Sequence, residues 1–344
     1  MPHYTLTDLA APQGGTPRVL HGLAARAPLT FLRRAAEVAF EIGQAAVLDR
    51  LAPLKAGLRE VSRGEAPRQG RSLALYLHWS PDGRVSPMVL RQLALWRECG
   101  FDLVFVTNAP ARPPERDWSA LGACCVLRIH RENVGRDFGG WRDAAAIALA
   151  EFGMPEELLL ANDSVLGPFL PLAPLVEAWR AGGEGLFGMT ESEGGGPHLQ
   201  SYALLARGAA AVTLLTTHLA AFRDSRSKWR VVQQGEIGLS RRARAAGLRC
   251  AALFGYARLT AQVDDATRES LGPRFANTEA FARYPLNPCH HLWRVLVERM
   301  GFPYLKTELI RRNPGHLPGV GDWPALVPPA DAALIREHLA MMGP

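Results

Sequence analysis

Asp163 lies where the chain changes character within a few residues. Leu158-Leu159-Leu160-Ala161 is apolar, Asn162-Asp163-Ser164 is polar, and Gly167-Pro168 closes the run. Such a run predicts a buried strand that delivers the triplet to the edge of a sheet. In open α/β sheets ligands bind outside the carboxyl ends of the strands. A lone carboxylate there could hold a metal or meet a sugar hydroxyl, or do no more than cap the turn. Arg131-Glu132-Asn133-Val134-Gly135-Arg136-Asp137-Phe138-Gly139-Gly140-Trp141 joins a strand to a helix. Backbone amides at such a helix start can approach a phosphate closely. Asp137 could equally be an N-cap beside a solvated Arg136. The glycine spacing is neither that of a Walker loop nor a dinucleotide fingerprint. In residues 235–248 Glu236 stands at the start of a short amphipathic helix. It is either a general base aimed into a cleft or an acid favoured there by the helix dipole. His198 and Gln200 precede a buried run, and a histidine in such a loop is more often hydrogen-bonded in place than a metal ligand. Lys306 and Arg311, in residues 304–314, could reach a diphosphate or cover a solvated helix face.

These residues need a scaffold, and strands alternating with helices supply it from Ser72 onward. Predicted strands cover residues 73–77, 103–106, 124–129, 158–161, 185–189, 201–205 and 250–254. Predicted helices begin at Ser86-Pro87 and cover 141–152, 172–179, 209–222 and 240–246. The pattern predicts an α/β fold: a doubly wound, mostly parallel sheet with helices on both faces. Residues 28–62 read as helical, with Phe31, Leu32, Ala35, Val38, Ala39, Ile42 and Ala46 near helical spacing. A packing helix is the preferred reading, and a surface that touches a membrane or partner the sharper one. Residues 1–27, rich in Gly, Pro and Ala, are expected to be loosely ordered, and 64–70 to be a linker. The expected organisation is an N-terminal helical segment and linker (1–70), a nucleotide-sugar domain (71–260) and a helical extension packed on it (261–344).

At 344 residues the chain can bury a full core, and 48% hydrophobic with 21% charged residues is ordinary for a globular protein. A net charge of +6 suits an anionic small molecule or an acidic membrane surface and does not demand nucleic acid. Lysine occurs only at Lys55, Lys228 and Lys306, so nearly every cation is Arg. Cys99, Cys124, Cys125, Cys250 and Cys289 form no CxxC pair and read as small buried hydrophobes in a reducing cytosol. With no apolar run long enough to span a bilayer and no signal-peptide pattern in Met1-Pro2-His3-Tyr4-Thr5, the expectation is a cytoplasmic protein.

In order, six segments resemble the rhamnan synthesis protein F family over residues 72–315. They are Tyr76-Leu77-His78-Trp79 with Asp82-Gly83-Arg84-Val85, the 133–141 run, Asn162-Asp163-Ser164 with Gly167-Pro168, His198-Leu199-Gln200-Ser201-Tyr202, Glu236-Ile237-Gly238-Leu239-Ser240, and the span from Asn287-Pro288 to Asn313-Pro314. The same order is similar to that of GT-A glycosyltransferases. The resemblance implies a transferase that moves rhamnose or a similar deoxysugar from a nucleoside diphosphate, dTDP-rhamnose being a candidate, to a glycan or lipid-linked glycan. The products would be surface polysaccharides such as lipopolysaccharide, assembled at the inner face of the cell membrane. It implies inversion with one base, Glu236. It places Asn162-Asp163-Ser164 at the Asp-x-Asp position, with Asp163 on a Mg²⁺ or Mn²⁺ ion. His78, Trp79 and Asn108 would lie near the nucleoside, and Asn133, Gly135, Arg136 and Asp137 would form the donor loop. His198, Gln200 and Lys306 are cleft candidates. One carboxylate stands where an Asp-x-Asp element has two, which leaves metal dependence open. A non-catalytic scaffold or glycan-binding protein is the alternative, and a nucleotidyltransferase a further one.

Overall fold

The computed structural model describes residues 4–10, 28–52, 54 and 57–343. Of residues 1–27, only 4–10 are described; the rest of that expected loose segment, Lys55 and the side chain of Phe31 lie outside the described residues. In chain order the elements up to the last long strand are β1 (Thr7–Asp8), α1 (Pro28–Leu51), β2 (Leu58–Arg63), β3 (Ser72–His78), α2 (Pro87–Glu98), β4 (Asp102–Thr107), α3 (Glu115–Cys124), β5 (Leu127–Arg131), α4 (Arg136–Phe152), β6 (Glu157–Asn162), β7 (Val165–Leu166), α5 (Ala173–Ala181), β8 (Gly185–Ser192), β9 (His198–Leu199), β10 (Ala203–Arg207), α6 (Ala209–Ala220), α7 (Lys228–Val232), α8 (Gly238–Ala245) and β11 (Cys250–Phe254). Then come α9 (Tyr256–Ala261), α10 (Asp265–Leu271), α11 (Glu279–Arg283), α12 (Pro288–His291), α13 (Trp293–Met300), β12 (Leu305–Lys306), α14 (Thr307–Arg312) and α15 (Pro329–Met341).

The main sheet runs β1-β11-β8-β10-β6-β3-β4-β5-β2, with β9 on β8. Strands β3, β4, β5, β6, β8 and β11 point one way; β1, β2, β9 and β10 run against them. The sheet is therefore mixed and mostly parallel, and helices cover both faces. Alternation along β3 shows the two layers: Ala74 and Tyr76 enter one core, Leu73, Leu75 and Leu77 the other. The segment after residue 261 adds Trp293, Leu296, Phe302, Tyr304 and Trp323 to the first core. On the opposite face α4 lies close to β3. A Cβ on Gly140 would stand 2.2 Å from Leu77 Cδ1. Trp141, fully buried, donates its indole N–H to the Leu75 carbonyl at 3.1 Å.

Two local expectations change. The helix expected over 28–62 stops at Leu51, and Leu58–Arg63 is a strand on the free edge of β5. An unpaired edge supplies hydrogen bonds that a short segment with β-branched Val61 can take. The strand expected at 124–129 begins at Leu127, because Cys124 closes helix α3. An apolar run of that length does not by itself separate strand from helix end.

Candidate functional site

Chain order reverses between β3 and β6, because β4 and β5 continue on one side of β3 and later strands on the other. Ligands of open α/β sheets bind at such a switch point, beyond the carboxyl ends of the strands. A cleft of about 470 Å³ lies there. Nine of the residues singled out from sequence line it: Trp79, Asn108, Asn133, Arg136, Asp137, Asn162, Asp163, Ser164 and Glu236.

The triplet after β6 divides its labour. Asn162 caps the turn: its Oδ1 accepts from the Ser164 N–H at 3.1 Å and from the Ser164 hydroxyl. Its Nδ2 donates to Asp137 Oδ2 at 2.9 Å and so ties the triplet to the glycine loop. Asp163 instead bridges to the end of β3, where its Oδ2 accepts from the Trp79 backbone N–H at 2.8 Å. Burial pushes the Asp163 carboxyl up to about 7, with neighbouring Asp137 adding to it against the Trp79 N–H. Burial raises Asp137 as well, opposed by Lys306.

The glycine loop is built to an unusual shape. Gly135 has φ 73°, and a Cβ there would stand 1.9 Å from Asp224 Oδ1. Arg136 follows with φ 53°, a region that side chains other than glycine seldom occupy. Beneath the loop Arg131, wholly buried, donates to Asp143 at 2.9 Å, to Asn108 Oδ1 at 2.8 Å and to the Val134 carbonyl at 2.8 Å. Asp143 also holds Arg142, which reaches Asp224 at 3.0 Å. These alternating charges satisfy one another, which is what keeps buried ions tolerable. They fix Asn108 and the backbone that carries Asn133 to Asp137.

Glu236 comes from the far wall. It lies in a π-helical turn, Gln233–Ile237, within one helical run with α7 and α8, rather than at a helix start. Gly235 lets that turn press on Phe138, since a Cβ would come within 2.5 Å of the ring. Glu236 Oε1 accepts from the Ser201 N–H at 2.6 Å. Single π turns are enriched at functional sites because they re-aim a side chain out of helical register.

Lys306 reaches the rim from the C-terminal segment. Strand β12 pairs antiparallel with β7, and Thr307 N–H donates to the Ser164 carbonyl at 3.0 Å. The Lys306 ammonium then donates to Ser164 Oγ at 2.9 Å and stands 4.9 Å from the centre of the Tyr202 ring. Lys228, at the start of α7, lines the opposite side. Sequence reasoning did not select it, nor Ser201, although a signal existed: both described lysines of this Arg-rich chain come to the cleft.

The remaining selected residues lie elsewhere. His78 faces the opposite layer, with its Nδ1 3.0 Å from Thr107 Oγ1, and burial lowers its pKa to about 3, so the ring is neutral. Gln200 accepts from the Thr190 hydroxyl at 2.8 Å and lies 3.3 Å from Cys289 Sγ. His198 closes a local turn through the Gly196 carbonyl at 2.7 Å. Gly135 shapes the loop from behind, and Arg311 holds the carbonyls of Met342 and Gly343.

For a divalent cation the donor set is sparse but suitable. Among the described residues no group of three or more His, Cys, Asp or Glu could hold a metal by itself. Asp163 and Asp137 nevertheless line one cleft, and burial of both favours any cation that offsets their charge. Mg²⁺ is commonly held by one or two carboxylates, with phosphates and water completing the shell.

No protein-family model matches the chain. The Virulence protein VirA of Vibrio anguillarum is 30% identical over 214 residues, which cover 58% of this chain and 67% of that protein. The "Uncharacterized protein y4gN" of Sinorhizobium fredii is 30% identical over 150 residues, covering 41% of this chain and 38% of that protein. At 30% identity over two thirds of that protein, the match places the chain in the family of the Vibrio anguillarum Virulence protein VirA.

Proposed function

We propose that the chain is an inverting glycosyltransferase of GT-A-like fold. In this reading it moves rhamnose or a similar deoxysugar from a nucleoside diphosphate to a glycan or lipid-linked glycan acceptor. One observation carries the reading: the switch-point cleft gathers Asp163, Asp137, and Lys228 with Glu236 from three separate parts of the chain. The resemblance to the rhamnan synthesis protein F family and to GT-A transferases supports it, because the segments that meet are those the resemblance selects.

The roles follow from position. Trp79, Asn108 and Asn133 form the nucleoside side of the cleft. The leaving diphosphate needs its growing charge neutralised, and Lys228, Lys306 and Arg136 supply it from different walls. Lys is a compact charge that suits a phosphate whose orientation changes as a bond breaks. Asp163, with Asp137, would hold a divalent cation, which when bound acts as a Lewis acid on the phosphate oxygens. Glu236 takes the acceptor hydroxyl's proton as that oxygen attacks the anomeric carbon, opposite the leaving diphosphate. Ser201 N–H holds Oε1, leaving Oε2 to accept the proton.

The test is donor hydrolysis and transfer with Glu236→Gln and Asp163→Ala. Loss of the base is expected to lower kcat by about 10²–10⁴-fold. Undiminished transfer by both variants overturns the assignment. The alternative, a non-catalytic glycan-binding scaffold, draws on the same bond from Ser201 to Glu236, which would then serve only to fix the loop. It predicts that no nucleoside diphosphate raises the melting temperature, with or without Mn²⁺.

A further inference from the structure

Helix α1 presents an apolar stripe to solvent. Leu32, Phe40, Val47 and Leu51 are 60%, 72%, 56% and 79% exposed, at spacings that keep them on one side of the helix. Its other side is anchored: Ala45 is buried, and Asp49 accepts from Ser225 Oγ at 2.9 Å and from Arg226 at 2.7 Å. That anchor joins α1 to the segment Arg223-Asp224-Ser225-Arg226-Ser227-Lys228-Trp229-Arg230. Trp229 is 45% exposed there. Among the described residues Arg223 and Arg230 make no ion pair, while Lys228 lines the cleft. Apolar side chains, an exposed tryptophan and unpaired cations thus lie on two elements joined through Asp49.

We propose that this stretch docks the protein on a lipid bilayer that carries anionic headgroups. The apolar stripe would enter the headgroup–acyl boundary, and the tryptophan would sit at the interface, where its amphipathic ring is favoured. The unpaired cations complement lipid phosphates. Charge argues against a second copy of this chain as the occupant. A two-fold interface sets the same patch against itself and would bring these cations together. Docking also orients the site, since α7 carries Trp229 on the surface and Lys228, Val231 and Val232 into the cleft. The inference deepens the transferase reading by naming the phase from which a lipid-linked acceptor comes. It rests on that reading for the acceptor alone.

The experiment is co-sedimentation of the full chain with vesicles of phosphatidylcholine alone and of equal parts phosphatidylcholine and phosphatidylglycerol. Binding is expected to the anionic vesicles only and to fall with added salt. Phe40→Glu with Leu51→Glu should abolish it. Arg223→Gln with Arg230→Gln, exposed and half-buried in turn, should weaken it roughly twenty-five-fold, at about fivefold per cation. The arginine pair keeps the test readable if the helix variant fails to fold. No sedimentation of the wild-type chain with anionic vesicles, or equal sedimentation of the arginine variant, overturns the proposal. So does a dimer that Phe40→Glu dissociates and vesicles do not bind. Failure of sugar transfer would leave vesicle binding in place, so the two claims fail separately.

Discussion

Glu191 and Asp163 are carboxyls pushed up to about 7 by burial, yet they serve different ends. Asp163 lines the cleft. Glu191 Oε1 accepts from the Tyr256 N–H at 2.5 Å, while Oε2 is buried with no partner. A folded pKa above the unfolded value means that ionisation opposes folding. The contribution of Glu191 is therefore present in full below about pH 4.5 and is lost as pH rises through about 7, a difference of about 3 kcal/mol. Glu191→Gln should flatten the decline in melting temperature between acidic and mildly alkaline buffer. An unchanged slope would show that the carboxyl is solvated. At this scale the sequence singled out Asp163, Glu236 and Arg136, which line one cleft, because polar residues that interrupt apolar runs stand out. It did not reveal that His78 faces the other layer, since strand alternation depends on a register no local motif fixes. It also hid the capping role of Asn162, which leaves Asp163 free to bridge.

Elements carry the next level of constraint. The glycine loop depends on Gly135, whose backbone lies in the left-handed region and whose missing Cβ leaves room for Asp224. Gly135→Ala should destabilise the protein by about 2–4 kcal/mol through combined strain and clash. A shift of the urea midpoint reads this directly. A neutral result would mean that Asp224 can withdraw without cost. The periodicity of α4 and β6 was readable because each is long and evenly apolar. The π turn under Glu236 was not, for it arises from the packing of Gly235 on Phe138, a contact between segments far apart in sequence. The ion chain from Arg131 to Asp224 was hidden for the same reason, since its members look like ordinary surface charges until α4 folds over them.

At the scale of the whole molecule, the α/β alternation in the sequence did predict a mostly parallel sheet with helices on both faces. It did not predict β10 running against its neighbours, which follows from a connection between β8 and β10 that holds only β9 and no crossover helix. Among the described residues no helix is long and apolar enough to cross a membrane. The residues beyond 284 complete the core that holds Tyr76, Phe254 and Tyr202, through Trp293, Leu296, Phe302 and Tyr304. A chain ending at residue 286 should therefore lack native near-ultraviolet circular dichroism and a single cooperative melt. A cooperative transition in that fragment would show that the sheet stands alone.

The pairing of β7 with β12 has a consequence in time. Lys306 meets Ser164 across 142 residues of chain. During synthesis β6, which ends at the triplet, can pair with β3 long before β12 leaves the ribosome to pair with β7. A nascent chain holds the glycine loop and Glu236 yet lacks the contacts that seat Asp163 and Ser164. One rim of the cleft is thus set by a segment made long after the triplet, and a chain that has not reached Thr307 lacks the two bonds that hold Ser164 from that side.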